Sequence, residues 1–274
     1  MKVSTDPKVM LITGAARGIG AALAERAVRK GYRVAIADID AAGAKARATS
    51  LGENARAMRL DIRSTKSWDR AIKSTIDHFG GLDILVNNAA VVHSGRTEAV
   101  SLRAHVQTMT VNALGPMLGM LAAVPVFKRR GAGQVVTICS MTAFLPLPGI
   151  VSYCASKHAL RALHFGIALE NRDAPIDFTI IHPGATETRM LDDEARAGVS
   201  VAFARPAWNP EDVAAMILKA IRQKKTEVCI PPSRARVAKA IGANPRRLFD
   251  MVAVSEKAGA AALKKRARLK KRSR

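Results

Sequence analysis

A serine, a tyrosine and a lysine stand at spacings suited to proton transfer. Tyr153 and Lys157 lie four residues apart in SYCASKHAL, and Ser140 lies thirteen residues before the tyrosine. Positions i and i+4 share one face of a helix, so the phenol and the ammonium should point the same way. A free tyrosine has a pKa of about 10, and a neighbouring ammonium favours the ionised form and lowers that pKa. The pair is therefore a candidate general acid or base, although an isolated Tyr-x-x-x-Lys is more often a pair on a helix surface.

A glycine-rich turn precedes this set in the chain. TGAARGIG, Thr13–Gly20, follows a short apolar run and opens a helical pattern. Its three glycines, Gly14, Gly18 and Gly20, allow a tight turn and a close approach of backbone amides to a pyrophosphate. The spacing is GxxxGxG rather than the commoner GxGxxG, and taken alone such a turn is often only a structural feature.

The residue that ends the second apolar run favours a dinucleotide. Asp38 comes eighteen residues after Gly20, where a carboxylate can accept hydrogen bonds from both hydroxyls of an adenosine ribose. A 2′-phosphate would meet like charge there, so NAD is expected rather than NADP. Arg17 argues weakly in the other direction, and Ile39 supplies no second cation.

Apolar runs alternate with helical patterns along most of the chain. Seven runs are nearly continuous in apolar residues, which is typical of parallel strands covered on both faces. Their unbroken alternation with helices predicts an α/β fold, namely a Rossmann-type doubly wound sheet in a single domain. We expect this dehydrogenase-like domain to span residues 1–232, followed by a basic extension at 233–274.

Composition indicates the cellular compartment and the kinds of site to expect. The chain has 274 residues, three cysteines and a formal net charge of +22. An odd, widely spaced set of cysteines argues against a disulfide framework and for a reducing cytoplasm. The apolar stretch Ala113–Phe127 is too short for a membrane span and is interpreted as a buried helix. The six histidines lack the spacing typical of zinc sites, so no metal is expected.

An ordered set of short motifs connects these features. It comprises the glycine turn, Asp61 in RLDIRS, NNAA at Asn87–Ala90, Asn112 in TVNALG, Ser140, the Tyr153–Lys157 pair and HPGATET from His182. In order and spacing these motifs resemble the short-chain dehydrogenase/reductase family over roughly residues 8–231. Ala90 departs from the family, which usually has glycine there, and we expect its methyl group to be tolerated.

The resemblance implies hydride transfer between NAD(H) and an alcohol or ketone carbon. It implies that Tyr153 is the general acid/base and that Lys157 also binds the nicotinamide ribose. Ser140 would then hydrogen-bond the substrate oxygen, and Asn112 would hold a water that links Lys157 to solvent. This catalytic set makes a surface role for the Tyr153–Lys157 pair a poor explanation.

The same resemblance implies a cofactor-binding set. Asp61 and Ile62 are expected at the adenine, Asn88 near its ribose and Thr188 at the nicotinamide carboxamide. The complete set is Gly14, Arg17, Gly18, Ile19, Gly20, Asp38, Asp61, Ile62, Asn88, Ala89, Tyr153, Lys157, Pro183, Gly184, Thr186 and Thr188.

Apolar residues surround the expected substrate site. They occur in the loop after Ser140 and in residues 187–208, which are expected to form a lid; they are Met141, Phe144, Leu145, Leu147, Met190, Leu191, Val199, Val201, Phe203 and Trp208. Such a lining suits a lipid-like, steroid-like or long-chain alcohol or ketone. Ordinary core or dimer contacts are the alternative explanation.

Residues 233–274 mix basic and apolar positions, and the last eleven residues carry eight cations. This pattern fits a peripheral anchor on an anionic membrane, or else a solvated tail. Specific nucleic-acid recognition is not expected, because Phe249 is the only aromatic residue available there for stacking. The family further implies a homodimer or homotetramer. Two other functions stay open: a dinucleotide-binding sensor without efficient turnover, and a protein whose tail binds nucleic acid.

Overall fold

Seven parallel strands form the central sheet of the computed structural model, which describes residues 7–272. Their order across the sheet is β3-β2-β1-β4-β5-β6-β7. The strands are β1 Val9–Thr13, β2 Arg33–Asp38, β3 Ala55–Arg59, β4 Ile84–Asn87, β5 Gly133–Ile138, β6 Ile176–Pro183 and β7 Glu227–Ile230. The chain builds the sheet outward from β1 to β3, returns to its middle, and then builds outward on the other side from β4 to β7. This is the order of a doubly wound sheet, so the predicted fold class is confirmed.

Ten α-helices accompany these strands in the described part of the chain. They are α1 Gly18–Arg29, α2 Ala41–Leu51, α3 Thr65–Phe79, α4 Leu102–Met109, α5 Gly115–Arg130, α6 Val151–Glu170, α7 Arg189–Arg196, α8 Pro210–Arg222, α9 Ala235–Gly242 and α10 Pro245–Arg272. Short helical turns with 3-10 geometry occur between some of them, and a π-helical turn at Thr110–Leu114 joins α4 to α5.

Side chains of one strand alternate between two separate cores. Met10 and Ile12 of β1 pack into the core beneath α1 and α8, whereas Val9 and Leu11 pack into the core beneath α3 and α5. All four are buried, since both faces of the sheet carry helices. Each fully buried side chain of this size contributes on the order of 2 kcal/mol relative to exposure. This two-sided burial explains why the strands read as continuous apolar runs.

One helical run, Leu102–Arg130, is long and apolar enough to span a membrane, and 56% of its apolar window is buried in the protein. Its middle packs tightly on α3: a Cβ added at Gly119 would lie 2.6 Å from the Trp68 ring. We therefore assign this run to the core of the domain.

The expected lid consists of α7 and a 3-10 turn at Ser200–Phe203. Its two ends meet at a bridge between Thr186 and Trp208. There the Trp208 amide donates to the Ala185 carbonyl, and the Glu187 amide donates to the Trp208 carbonyl, both at 2.8 Å. The segment between them is thus a closed loop anchored at the carboxyl end of β6.

The C-terminal extension is helical and packs along this lid. Both terminal nitrogens of the Arg266 guanidinium, Nη1 and Nη2, donate to the Glu187 carboxylate at 2.7 Å. Nη2 also donates to the Asp192 carboxylate at 3.0 Å. The same guanidinium lies 5.6 Å from the centre of the Phe203 ring. Gly259 contacts the backbone of Ser200. Part of the extension at residues 233–274, which was predicted to meet a membrane, therefore packs against the lid of the same chain.

The Gly259 contact yields a test of this packing. An added Cβ would overlap the Ser200 carbonyl oxygen and lie 3.2 Å from the Ala204 amide nitrogen. Gly259→Ala should therefore push α10 away from the lid, at a cost of about 1–3 kcal/mol in unfolding free energy. Hydrogen exchange of residues 187–204 should become faster.

Gly166→Ala is the matched control, because Gly166 lies in α6 with nothing within 4 Å of the added Cβ. It should leave lid exchange unchanged and stabilise the helix slightly. Equal lid protection in Gly259→Ala and the wild type would contradict the described packing.

Candidate active site

A continuous cavity of about 1560 Å³ runs along the carboxyl ends of the strands and under the lid. All but two of the predicted site residues line it: Gly14, Arg17, Gly18, Ile19, Asp38, Asp61, Ile62, Asn88, Ala89, Ser140, Tyr153, Lys157, Pro183, Gly184, Thr186 and Thr188. The exceptions are Gly20 and Asn112. Within the described residues, no group of three or more His, Cys, Asp or Glu side chains could hold a metal ion.

The glycine turn presents free amides to the cavity. Gly14 and Gly18 have φ angles of +63° and +58°, in the left-handed region that favours glycine. Arg17 precedes α1 with an extended backbone and no side-chain cap. The first amides of α1 therefore lack a capping acceptor from the described residues, which fits the binding of a pyrophosphate.

Gly20 packs inside the turn. A Cβ at this position would overlap the Gly14 carbonyl oxygen and the Asn88 side chain. Gly20 therefore allows the close packing of helix and turn, and its contact with a cofactor stays a prediction.

Asn88 and Thr13 hold the turn in place. Asn88 Nδ2 donates to the carbonyls of Thr13 and Gly14, at 2.8 and 3.2 Å. Thr13 Oγ1 accepts from the amides of Asn88 and Ala89, at 2.9 and 3.0 Å. These bonds join the ends of β1 and β4. Ala90, the departure from the family pattern, lines the cavity beside them.

Asp38 and Arg17 have separate partners. The Asp38 carboxylate accepts from the backbone amides of Ala16 and Asp40, each at 3.0 Å. The Arg17 guanidinium pairs with the Asp40 carboxylate. Arg17 is thus held by an acidic partner, which weakens the one sequence argument for a 2′-phosphate.

Asp61 lies at the edge of the cavity and pairs with its neighbour Arg63. Two nitrogens of that guanidinium contact the carboxylate, at 2.9 and 2.7 Å. These hydrogen bonds lower the pKa of Asp61. The following residue, Ile62, is buried and accepts a 2.9 Å bond from the Trp68 indole. Ionised and fixed, Asp61 is a hydrogen-bond acceptor available at the cavity rim.

Tyr153 and Lys157 are both buried beneath the substrate part of the cavity. Lys157 Nζ donates to the Ile138 carbonyl at 3.1 Å and lies 5.6 Å from the centre of the Tyr153 ring. Burial raises the pKa of Tyr153, and the Glu194 carboxylate raises it further, while a hydrogen bond with Ser140 acts in the opposite direction. Burial also lowers the pKa of Lys157. In this structure desolvation is the largest influence on the pKa of Tyr153, and it acts in the direction opposite to the lowering expected from the neighbouring ammonium.

Asn112 lies in the π-helical turn between α4 and α5 and is fully buried. Its side chain exchanges two 2.8 Å hydrogen bonds with the backbone of Val91 and donates to Ser156 Oγ at 3.1 Å. It thereby ties the segment after β4 to α6, the helix that carries Tyr153. The expected water at Asn112 stays a prediction.

The sequence analysis missed a polar network behind Ser140. The ring of His182 is fully buried, with Nδ1 3.0 Å from the Ser140 carbonyl oxygen and Nε2 3.1 Å from Glu227 Oε1. Arg161 and Lys239 also contact Glu227, so the network reaches α9 of the extension. His182 adjoins the PG motif in sequence, but no pattern there indicates its partners.

The substrate part of the cavity is mainly apolar. Of the ten apolar residues predicted to border it, seven line the cavity: Met141, Leu145, Leu147, Met190, Leu191, Val201 and Trp208. Phe144 packs on His182 and Val199 on Tyr153, while Phe203 lies under Arg266. The extension, which the sequence analysis did not assign to the site, adds Val237, Ala238, Ile241 and Met251.

Glu194 of α7 is an acidic residue that also lines the cavity, and it was not predicted from the sequence. Its side chain is buried, and desolvation, followed by repulsion from Asp193, raises its pKa to about 7. The sequence offers only the acidic run DDE, which is typical of an exposed helix face.

Known proteins are similar to this chain. The family described as short chain dehydrogenase matches residues 8–198. A 2,5-dichloro-2,5-cyclohexadiene-1,4-diol dehydrogenase, LinX, of Sphingobium indicum is 37% identical over 184 residues, covering 66% of this chain and 74% of that protein. A 3-alpha-(or 20-beta)-hydroxysteroid dehydrogenase of Mycobacterium tuberculosis is 34% identical over 206 residues, covering 75% of this chain and 74% of that protein.

A solved structure agrees with these relatives. The 3-ketoacyl-(acyl-carrier-protein) reductase from Brucella melitensis, complexed with NADH, has a TM-score of 0.75 and 30% identity. The match covers 82% of this chain and 96% of the reductase chain. With the sheet order, the glycine turn and the Ser140, Tyr153 and Lys157 cluster already established, these matches show that the chain belongs to the short-chain dehydrogenase/reductase family and is an oxidoreductase acting on CH–OH groups.

Proposed function

We propose that the chain transfers a hydride between NAD(H) and the carbinol or carbonyl carbon of an apolar alcohol or ketone, with Tyr153 as general acid/base. The observation that carries this proposal is the position of Tyr153, Ser140 and Lys157 in one cavity with the glycine turn. A sensing module without turnover would not need this buried proton-transfer set.

The preference for NAD rests on charge at the end of β2. Asp38 would accept hydrogen bonds from the adenosine ribose and repel a 2′-phosphate. Arg17 is paired with Asp40, so it offers no unpaired cation to that phosphate. The free amides of α1 would hold the pyrophosphate, Asp61 and Ile62 the adenine, and Thr188 the carboxamide.

Proton transfer is the task of the side chains around Tyr153. The raised pKa keeps the phenol protonated at neutral pH, which is the form that donates to a carbonyl oxygen. Alcohol oxidation needs the phenolate instead, so its rate should rise with pH. Ser140 would donate to the same substrate oxygen, and Lys157 would hold the ribose hydroxyls beside the phenol.

Several features support an apolar substrate. Leu145, Leu147 and Met190 line the cavity from the loop and the lid, and Ile241 and Met251 line it from the extension. Burial of a ligand against such side chains contributes roughly 25 cal/mol per Å² of apolar surface. Two relatives are named for a cyclohexadienediol and for hydroxysteroids, whose carbon ring skeletons suit this lining.

We also propose that copies of the chain associate through α4, α5 and α6. Leu102, Val106 and Leu121 stay more than half exposed on this surface. We propose a cytoplasmic location for these assemblies.

Association of residues 233–274 with an anionic membrane stays a prediction. It would use Phe249 and Val254, which are exposed on α10. Co-sedimentation with phosphatidylserine vesicles would test it.

Removal of the phenol hydroxyl tests the proposed chemistry. Tyr153→Phe should lower kcat for NAD-linked alcohol oxidation by about 10²–10⁴-fold, because the proton acceptor is lost. NADH binding, followed by fluorescence, should be retained. Tyr32→Phe is the matched control, since Tyr32 is the other tyrosine of the chain and packs in the core beneath α1. Equal turnover in Tyr153→Phe and Tyr32→Phe would contradict the proposal.

Replacement of the β2 carboxylate tests the cofactor preference. Asp38→Ala removes the charge opposed to a 2′-phosphate, so kcat/KM with NADP relative to NAD should rise about tenfold or more. Steady-state assays with both cofactors measure this ratio. Asp69→Ala, at an exposed position of α3, is the control and should leave the ratio unchanged. A wild type that already prefers NADP would refute the assignment.

A further inference from the structure

Glu194 differs from the other acidic residues of the lid in having no cation. Glu187 and Asp192 contact Arg266, and Asp193 contacts Arg196. The Glu194 carboxylate has neither an ion pair nor a hydrogen bond with any residue among 7–272, although the side chain is only 8% exposed. The carboxylate therefore lines the cavity without a protein partner among the described residues and is free to accept a hydrogen bond from a ligand.

The position of Glu194 relates it to the reacting centre. It lines the same cavity as Tyr153 and Ser140. Its negative charge raises the pKa of both Tyr153 and Cys154, so the carboxylate lies within electrostatic range of the phenol. Around it the lid and the extension present apolar side chains such as Met190, Leu191 and Met251. An acceptor that lacks a protein partner beside such side chains favours a ligand with a matching donor.

We infer that Glu194 is a specificity-determining residue that accepts a hydrogen bond from a second hydroxyl of the substrate, on the same molecule as the reacting carbinol. This inference rests on the proposed function and names its substrate class as an otherwise apolar diol or hydroxyketone. A neutral donor is favoured over an ammonium, because a chain with a net charge of +22 repels a cationic substrate. A site built around a substrate hydroxyl discriminates against analogues that lack it, since the acceptor would then stay buried and unpaired.

Ionisation of Glu194 gives a second signature. The groups that face it are Tyr153 and Cys154 on α6 and Asp193 on its own helix. Ionised Glu194 raises the pKa of Tyr153, so its removal should lower that pKa. The pH at which alcohol oxidation reaches half its maximal rate should therefore move to lower values in Glu194→Gln. A purely structural role would not produce this shift.

The experiment compares cyclohexanol with cyclohexane-1,2-, 1,3- and 1,4-diol and with 4-aminocyclohexanol, using NAD and the full-length protein. We expect the wild type to use at least one diol with a kcat/KM about tenfold or more above that of cyclohexanol. Glu194→Leu should bring this ratio close to one, and Glu194→Gln should keep part of it because the amide oxygen still accepts. Glu256→Leu, at an exposed position of α10, is the matched control and should keep the full ratio.

Three results would overturn the inference: no preference for any diol in the wild type, an unchanged ratio in Glu194→Leu, or a preference for the amino alcohol over every diol. The first two leave the proposed function intact as long as cyclohexanol is oxidised. Absence of all turnover while NADH still binds would refute the proposed function, and the inference with it.

Discussion

The parallel pairing of β1, β4, β5 and β6 is the constraint on which the site depends. Neighbouring parallel strands end at the same edge, so the segments that follow them converge there. The Cys139 amide donates to the Ile181 carbonyl at 2.7 Å, which extends the β5–β6 ladder one residue beyond the strand and carries Ser140 to this edge. His182 on β6 then contacts the Ser140 carbonyl. The position of Ser140, which is proposed to bind the substrate oxygen, is therefore set by backbone pairing.

Much of this arrangement could be predicted from the sequence, because the relevant signals are local. Most strands read as nearly continuous apolar runs, and the glycine turn, Asp38 and Ser140 stand where such runs end. Gly20 shows the limit of this reasoning. The motif marks it as a cofactor-binding glycine, but the motif does not reveal that Gly20 is pressed against Gly14 and Asn88 inside the turn.

The features that were not predicted depend on distant contacts or on burial. Arg266 meets Glu187 and Asp192 across separations of 79 and 74 residues, and nothing in a basic tail specifies acidic partners on a lid. The pKa of Tyr153 was expected to fall because spacing reveals the neighbouring ammonium. Spacing does not reveal desolvation, which acts on the phenol and on Lys157 together and favours the neutral form of each.

The three consecutive acidic residues of the lid, 192–194, lie in two different environments. Asp192 and Asp193 contact Arg266 and Arg196, so cations on α10 and α7 offset their charge. Glu194, one position further, lies on the buried side of the same helix, because each residue advances about 100° around the axis. Arg266 and Arg196 thus offset the charge of the outer acids, while burial desolvates the inner one. Burial of Tyr153 and Glu194 strengthens the effect of the carboxylate charge on the pKa of the phenol, since charges interact more strongly at low dielectric. The packing of α10 and the proton affinity of the phenol are therefore linked through a single helix of the lid.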